Sequence, residues 1–366
     1  MTQDFVIDAF GARWGLDTAA LTPEEGERLR VLWERCRIPG AGSADDGVEP
    51  FVVTSSDPYA VSRAITLASI GRRRGSAVLL HAAGLSDGDR AIALVGPSGT
   101  GKSTAARALG QHFGYLSDET VAIEPDGRIS PYPKPVSTID DPTKPWAKSE
   151  SSPDELGLRK ARDPAYLHAL VVLERDPAHT VPELVHLPLA DAVLAVIKET
   201  SSQPIVERPL HRLAHLVSLS GGPYLLRYSE IDQCLELLRG LFTTDHDDTV
   251  ADWSSTPGPI RGDDRDRLVE SQPEAEADVE DSSVVTRGPW RDAVHGEDGS
   301  VVLINNTPVR LGPIGEVIWD CALEPLSVAD ARAAVVESLG DHPDAGSLVQ
   351  QGIADMLASG VLRPAT

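Results

Sequence analysis

Gly96-Pro97-Ser98-Gly99-Thr100-Gly101-Lys102-Ser103 matches the pattern G-x-x-x-x-G-K-[ST] in full. Glycines at these places let a backbone wrap a phosphate chain with its N–H groups facing inward. Lys102 would neutralise the β- and γ-phosphates and Ser103 would offer its hydroxyl to Mg²⁺. The helix that follows adds the positive end of its dipole. The expected nucleotide contacts are Gly96, Ser98, Gly99, Thr100, Gly101, Lys102, Ser103 and Thr104, with ATP and Mg²⁺ as ligands. Shortly after the motif, Asp118-Glu119 interrupts the strand-like run 115–123. Carboxylates are disfavoured inside strands, so an adjacent pair there asks for a chemical reason. A second candidate acid is Glu174, which ends Leu170-Val171-Val172-Leu173 where a P-loop ATPase has Asp.

Local punctuation indicates which elements position these groups. Arg90–Val95 reads as an apolar strand running into the glycine-rich loop, and the alanine-rich stretch from Lys102 to His112 reads as a helix leaving it. Residues 76–80 form a strand candidate, and Ser86-Asp87-Gly88-Asp89 is a turn signal. Two strands joined so closely must be antiparallel, because a parallel crossover needs about a dozen residues or more. Upstream, Thr22 caps a helix with Pro23 at its first position and Glu25 completing a capping box. Phe51 to Thr54 reads as a strand, and 60–69 as a helix or an extended core segment. Arg72, Arg73 and Arg74 are a solvated turn or an anion contact. The proline-rich, basic stretch 140–164 reads as a mobile loop over phosphates or a disordered insertion. Arg175 and Arg208 fit surface ion pairs better than phosphate ligands.

Composition limits what the rest can be. A chain of 366 residues with 41% hydrophobic residues is long enough for two domains with their own cores. Lys plus Arg is 33 against 56 Asp plus Glu, a net charge of −23, which disfavours nucleic acid and anionic membranes as partners. No apolar run long enough to span a bilayer occurs, and the first eight residues lack the features of a secretory signal. Cys36, Cys234 and Cys321 are far apart, as free thiols of a cytoplasmic protein would be. Between 245 and 281 stand thirteen acids and three arginines, −10 of the −23. Such a segment buries too little to offset its ordering entropy. Residues 245–283 are therefore expected as an acidic disordered linker, between a body at 1–244 (with an extension at 1–50) and a module at 284–366.

The body resembles the bacterial HPr serine kinase/phosphorylase family, whose catalytic domain resembles the ATP-dependent phosphoenolpyruvate carboxykinases. The resemblance is carried by His81 fifteen residues before Gly96, by Gly-Pro-Ser-Gly-Thr-Gly-Lys-Ser-Thr, and by the Leu-Ser-Asp-Glu-Thr-Val-Ala-Ile strand. The proline-rich run 130–139 and Leu173-Glu174-Arg175 add to it. It implies an α/β fold with a P-loop mixed sheet. It implies Asp118 as the general base toward a serine hydroxyl, His81 beside the phosphates, and Lys102 as a catalytic cation. Ser103 and Glu119 would be the metal contacts. The family usually has Asp where this chain has Glu119, and Glu where it has Thr104, so whether the reverse, phosphorolytic reaction and the details of metal binding carry over stays open.

In the module, Val301–Ile304 reads as a strand, Asn305-Asn306 as a turn and Thr307–Leu311 as the returning strand. A helix with Ile314, Val317, Ile318 and Cys321 on one face follows, then one capped by Ser327 and one ending at Gly360. A hairpin with three helices suggests a small winged-helix α+β domain. From Val301 onward only Arg310, Arg332 and Arg363 stand against eight acids, which argues against DNA reading. Asp298-Gly299, 301–304, 309–311, 314–319 and Leu357-x-x-Gly360-Val361-Leu362 resemble the PqqD-like peptide-recognition modules of ribosomal peptide biosynthesis. That resemblance implies a leader peptide added as a strand beside Val309, Arg310 and Leu311. Together the expectation is an ATP-dependent kinase for a serine hydroxyl of a recruited precursor peptide. Two alternatives stay open, a non-catalytic nucleotide-switched peptide-binding protein and a kinase for a small-molecule hydroxyl. Whether the chain forms a homo-oligomer is also open.

Overall fold

The computed structural model describes residues 5–42, 45–139, 143, 148–201, 206–220, 222–245, 252–259 and 279–365. The chain is of mixed α/β class and its contacts gather into two units. One comprises 1–187, 198–202 and 219–249, the other 188–197, 203–218 and 250–366.

The first unit is organised by a nine-stranded mixed sheet. The hairpin expected from the turn signal is present. Val78–Asp87 runs antiparallel to Arg90–Val95, in register from Asp87↔Arg90 to Ala82↔Val95. Arg90–Val95 is parallel to Ala165–Arg175, which is parallel to Pro223–Tyr228. Ala91 to Val95 are all buried, as an inner strand covered on both faces requires. On its other side Val78–Asp87 pairs with two short strands in succession. Thr120–Ile123 takes its first half and Gly114–Ser117 its second. The interruption between them falls at Asp118-Glu119, opposite Ala82 and Ala83.

Two hydrophobic clusters flank this sheet. One packs the helix Lys102–Leu109 through Ala105, Ala106 and Leu109 against Leu94, Val171 and Leu226. The other packs the helix Pro58–Arg73 through Val61 and Ile65 against Ile7, Leu16 and Trp33. The N-terminal extension thus contributes core rather than a tail. Phe5–Ala9, Ala12–Asp17 and Val48–Val52 form a three-stranded sheet, and the helix Pro23–Leu32 starts on the predicted capping box. The arginines at 72–74 do not form an anion site. Arg72 pairs with Glu49 at 3.3 Å, Arg73 pairs with Glu124, and the Arg74 backbone closes the helix.

Of the stretch expected as a mobile loop, 140–142 and 144–147 lie outside the described residues. From 148 onward it is held in place. Lys148–Ser151 pairs antiparallel with Val136–Ile139, and Arg28 and Arg35 pair with Glu155 and Asp154.

The second unit has a four-stranded antiparallel sheet in the order Trp253–Pro257, Asp292–Gly296, Gly299–Ile304, Thr307–Leu311. The predicted hairpin forms half of this sheet, so the sheet is twice as wide as the one behind the winged-helix expectation. A three-stranded sheet, Leu326–Ser327, Val284–Arg287 and Leu362–Pro364, adds a second layer. Helices Pro313–Cys321, Val328–Leu339 and Ala345–Ala358 close the core around Trp319, Ile318 and Ile353.

The expected linker needs correcting in part. Residues 246–251 and 260–278 lie outside the described residues, but Trp253–Pro257 is an edge strand, with Ser255 opposite Val294. Trp253 explains this, since its indole donates to Ser218 Oγ at 2.6 Å and its ring packs on His211. Residues 188–197 and 203–218 also group with this unit rather than with the body.

All three cysteines are free, Cys36 and Cys234 buried and Cys321 exposed. Among the described residues no helix is long and apolar enough to cross a membrane.

Asp292 ties the second unit together. It is fully buried, its Oδ2 accepts the His211 backbone N–H at 2.8 Å, and Arg208 Nε lies 3.7 Å from its Oδ1. Burial pushes this carboxyl above the usual aspartate value, and the His211 amide and Arg208 partly offset that. Asp292→Ala strands a buried amide and a guanidinium, and is expected to cost roughly 2–4 kcal/mol of stability. Urea unfolding of the full chain, followed by tryptophan fluorescence, checks this; an unmoved midpoint would refute it.

Candidate active site

The strand Arg90–Val95 delivers the chain to the glycine-rich loop, and Lys102–Leu109 carries it away. Gly99 and Gly101 have φ of +91° and +97°, a region that side chains disfavour, so the loop's path depends on glycine at both. Thr100 Oγ1 donates to Pro97 O at 2.8 Å, and Tyr228 Oη donates to Thr100 O at 2.8 Å, fixing the loop from either side. Lys102 folds back over the loop, donating to Gly96 O and to Pro97 O, the latter at 3.1 Å. Burial pulls its ammonium below the ordinary lysine value, against the opposing pull of Glu199.

The break in the neighbouring strand is built locally. Ser117 Oγ accepts the amides of Glu119 (3.3 Å) and Thr120 (3.2 Å), turning the chain for two residues. The Ala82 amide donates to Glu119 O at 3.2 Å. Because Ala82 is also the register partner of Val95, the break and the phosphate loop meet across a single strand. Ser103 Oγ accordingly lies 3.5 Å from Asp118 O. A cleft of about 520 Å³ is lined by Ser98, Gly99, Gly101, Lys102, Ser103 and Thr104 from the loop. His81, Asp118 and Glu119 come from the sheet. The structure therefore brings these sequence-predicted residues together.

A residue the sequence reading passed over lies at the centre of this arrangement. Lys134, in Pro133-Lys134-Pro135, is 2% exposed and its ammonium lies 3.1 Å from Asp118 Oδ1 and 3.3 Å from Glu119 Oε2. It also donates to Pro135 O at 3.1 Å. Burial works against its charge, but Asp118, Glu119 and Glu150 outweigh that and hold it well above the ordinary lysine value. Asp118, 3% exposed, accepts a second bond on Oδ1 from Tyr115 Oη at 3.0 Å. Among the described residues no donor reaches Oδ2, and Asp118 lines the cleft. One carboxylate oxygen is thus anchored and the other is free to accept.

Glu150 completes a second layer behind Lys134. Its oxygens accept from Ser137 Oγ (2.6 Å) and Ser62 Oγ (2.8 Å). Burial raises its carboxyl above the usual glutamate value, with Lys134 and the two serines pulling the other way.

His81 meets another acid that the sequence reading missed. Its Nδ1 lies 3.3 Å from Glu199 Oε2, and its backbone amide donates to Glu199 O at 2.7 Å. Glu199 sits 118 positions away, in a segment with no motif, so no sequence spacing marks it. Lys134 could have been found, because a lysine between two prolines in an apolar run is an uncommon choice for a solvated charge.

Other candidates lie elsewhere. Glu174 pairs with Arg227 at 3.1 Å, and Arg175 pairs with Glu230 at 3.2 Å. Arg208 belongs to the second unit with Asp292. Val309, Arg310 and Leu311 are also in the second unit, on the strand Thr307–Leu311, which among the described residues pairs on one side only. Leu311 is buried there, and Arg310 is engaged by Asp191 and by Asp298 O.

No protein-family model and no curated protein matches the chain. Among solved structures it is similar to the Hpr(Ser) kinase/phosphatase from Coxiella burnetii. Identity is 13%, the match covers 44% of this chain and 92% of that one, and the TM-score is 0.24. At that score the likeness does not establish a shared fold, and the chemistry has to be argued from the site itself.

The buried triad sets a stability expectation. Lys134→Met takes the cation away from buried Asp118 and leaves only Tyr115 against it, at a cost of roughly 3–5 kcal/mol. Adding Asp118→Asn should recover much of that loss. Strict additivity in the double-mutant cycle, read by urea unfolding, would refute the direct pairing.

Proposed function

We propose that the chain is an ATP-dependent phosphotransferase that phosphorylates a hydroxyl, a serine of a ribosomally made precursor peptide. The observation that carries this reading is one cleft holding both the glycine-rich loop with Lys102 and a buried aspartate with one anchored and one free oxygen. In a chain of net charge −23, that cleft is also lined by Lys102, Arg107, Lys134 and Lys148. Such a surplus of cations suits a polyphosphate.

The residues divide the work by position. Lys102 and the backbone amides of the loop bind the β- and γ-phosphates. Asp118 Oδ2 accepts the proton of the acceptor hydroxyl as its oxygen bonds to the γ-phosphorus, while the bond from that phosphorus to the bridging oxygen breaks and ADP leaves. Lys134 and Tyr115 hold the carboxylate so that its free oxygen keeps one direction. His81, oriented by Glu199, lines the acceptor side.

Mg²⁺ fits the donors present, one hydroxyl (Ser103) and one carboxylate (Glu119) beside the nucleotide's own oxygens. When bound, it neutralises charge on the phosphates.

The edge strand Thr307–Leu311 supports the second half of the proposal. A leader peptide would add to its free side through backbone pairing, with Val309 and Arg310 beside it. Recruitment of this kind raises effective concentration and leaves the transition state untouched. A leaderless acceptor should therefore show a raised KM with kcat nearly unchanged; equal KM with and without the leader would remove this part of the reading.

Two substitutions separate binding from chemistry. Lys102→Ala should lower ATP affinity by at least about tenfold, since a charge-assisted phosphate contact is worth ~1.5–3 kcal/mol. Asp118→Asn should bind ATP within a few fold yet lose transfer by about a hundredfold or more. Calorimetry with ATP and a radiolabelled transfer assay read both. Normal transfer by Asp118→Asn would end the general-base assignment.

A further inference from the structure

The helix Pro58–Arg73 buries Val61, Ser62, Ile65, Thr66 and Ser69 against the first unit. Beside that buried stripe run Tyr59, Arg63, Leu67 and Ile70, whose spacings of four, four and three place them on one face. This face lines a second cavity of about 180 Å³, which shares Tyr59, His81 and Glu119 with the phosphate cleft. None of the glycine-rich loop lines this cavity, which meets the cleft at Glu119, the chain neighbour of Asp118.

Its chemistry is unlike that of the cleft. Leu67 is 57% exposed. Arg63 is exposed, and among the described residues no carboxylate pairs with it, although Arg72 and Arg73 of the same helix each have one. An uncompensated guanidinium in a chain of net charge −23 favours an anionic partner. The stripe's length indicates what kind. From Tyr59 to Ile70 the eleven steps of helix rise about 16 Å, the span of about five residues of extended chain. A small metabolite would cover only part of it.

We infer that Tyr59, Arg63 and Leu67 form the acceptor-peptide site. An extended segment lies along the helix with its hydroxyl at Asp118, an acidic side chain on Arg63 and an apolar one on Leu67. This rests on the phosphotransfer reading above and adds the acceptor's local sequence. The serine oxygen bonds to the γ-phosphorus, the β–γ bridging bond breaks, and the proton passes to Asp118.

The test uses the full chain, MgATP and an array of short peptides, each with one serine and varied flanking residues. Wild type should favour Asp or Glu at one fixed offset by about fivefold in kcat/KM over Lys. Arg63→Glu, with its unfolding midpoint checked, should reverse that preference at the same offset, mainly through KM. Leu67→Ser should erase an apolar preference at a second offset. Transfer with identical preferences in wild type and Arg63→Glu overturns the acceptor site and leaves phosphotransfer standing. Transfer confined to small hydroxyl compounds overturns it too.

Fluorescence anisotropy with labelled acidic peptide and a non-hydrolysable ATP analogue covers the remaining outcomes. Absent transfer, with peptide bound by wild type and released by Arg63→Glu, overturns phosphotransfer and keeps the stripe as a peptide site. Neither transfer nor such binding overturns both.

Discussion

A single buried ammonium organises the first unit's cleft. Lys134 lies between Asp118 and Glu119, 3.1 Å from the buried aspartate and 3.3 Å from the partly exposed glutamate, so one cation serves both carboxyl groups. The groups around the lysine are bonded in turn. Tyr115 donates to Asp118, and Ser62 and Ser137 donate to Glu150 behind the lysine. A half-satisfied polar network at this depth would be worse than an apolar core.

The network also joins the two hydrophobic clusters of the unit. Tyr132, just before Lys134, packs in the cluster under the helix Pro58–Arg73, whereas Val136, just after it, packs in the cluster under Lys102–Leu109. The Pro133-Lys134-Pro135 segment therefore crosses from one core to the other. Proline fixes φ and lacks an amide donor, so this crossing strands fewer backbone groups than another sequence would. Asp118, paired with Lys134, therefore sits where the clusters under the helices Pro58–Arg73 and Lys102–Leu109 adjoin the same segment.

Local chemistry made much of this legible beforehand. The glycine-rich loop, its strand and helix, the antiparallel hairpin before it and the capping box at Thr22 depend on contacts a few residues apart, and their residue types encode them directly. The doublet Asp118-Glu119 stood out for the same reason, as charge where a strand wants none. The acidic run showed the limit of composition. Averaging over 245–283 concealed Trp253–Pro257, whose pairing with Asp292–Gly296 is set by a partner some forty positions away.

What the sequence by itself determined was a glycine-rich loop between a strand and a helix, a nearby carboxylate pair and a strongly acidic chain. Only the tertiary structure decided which charges meet. Glu199 reaches His81 across 118 positions, and the helices in 188–218 group with the C-terminal unit instead of the body. The physical reason is that ion pairs and sheet edges are satisfied by whatever the fold brings within about 4 Å. Sequence separation places no bound on that distance, so Lys134 reads as an ordinary lysine until the two cores close around it.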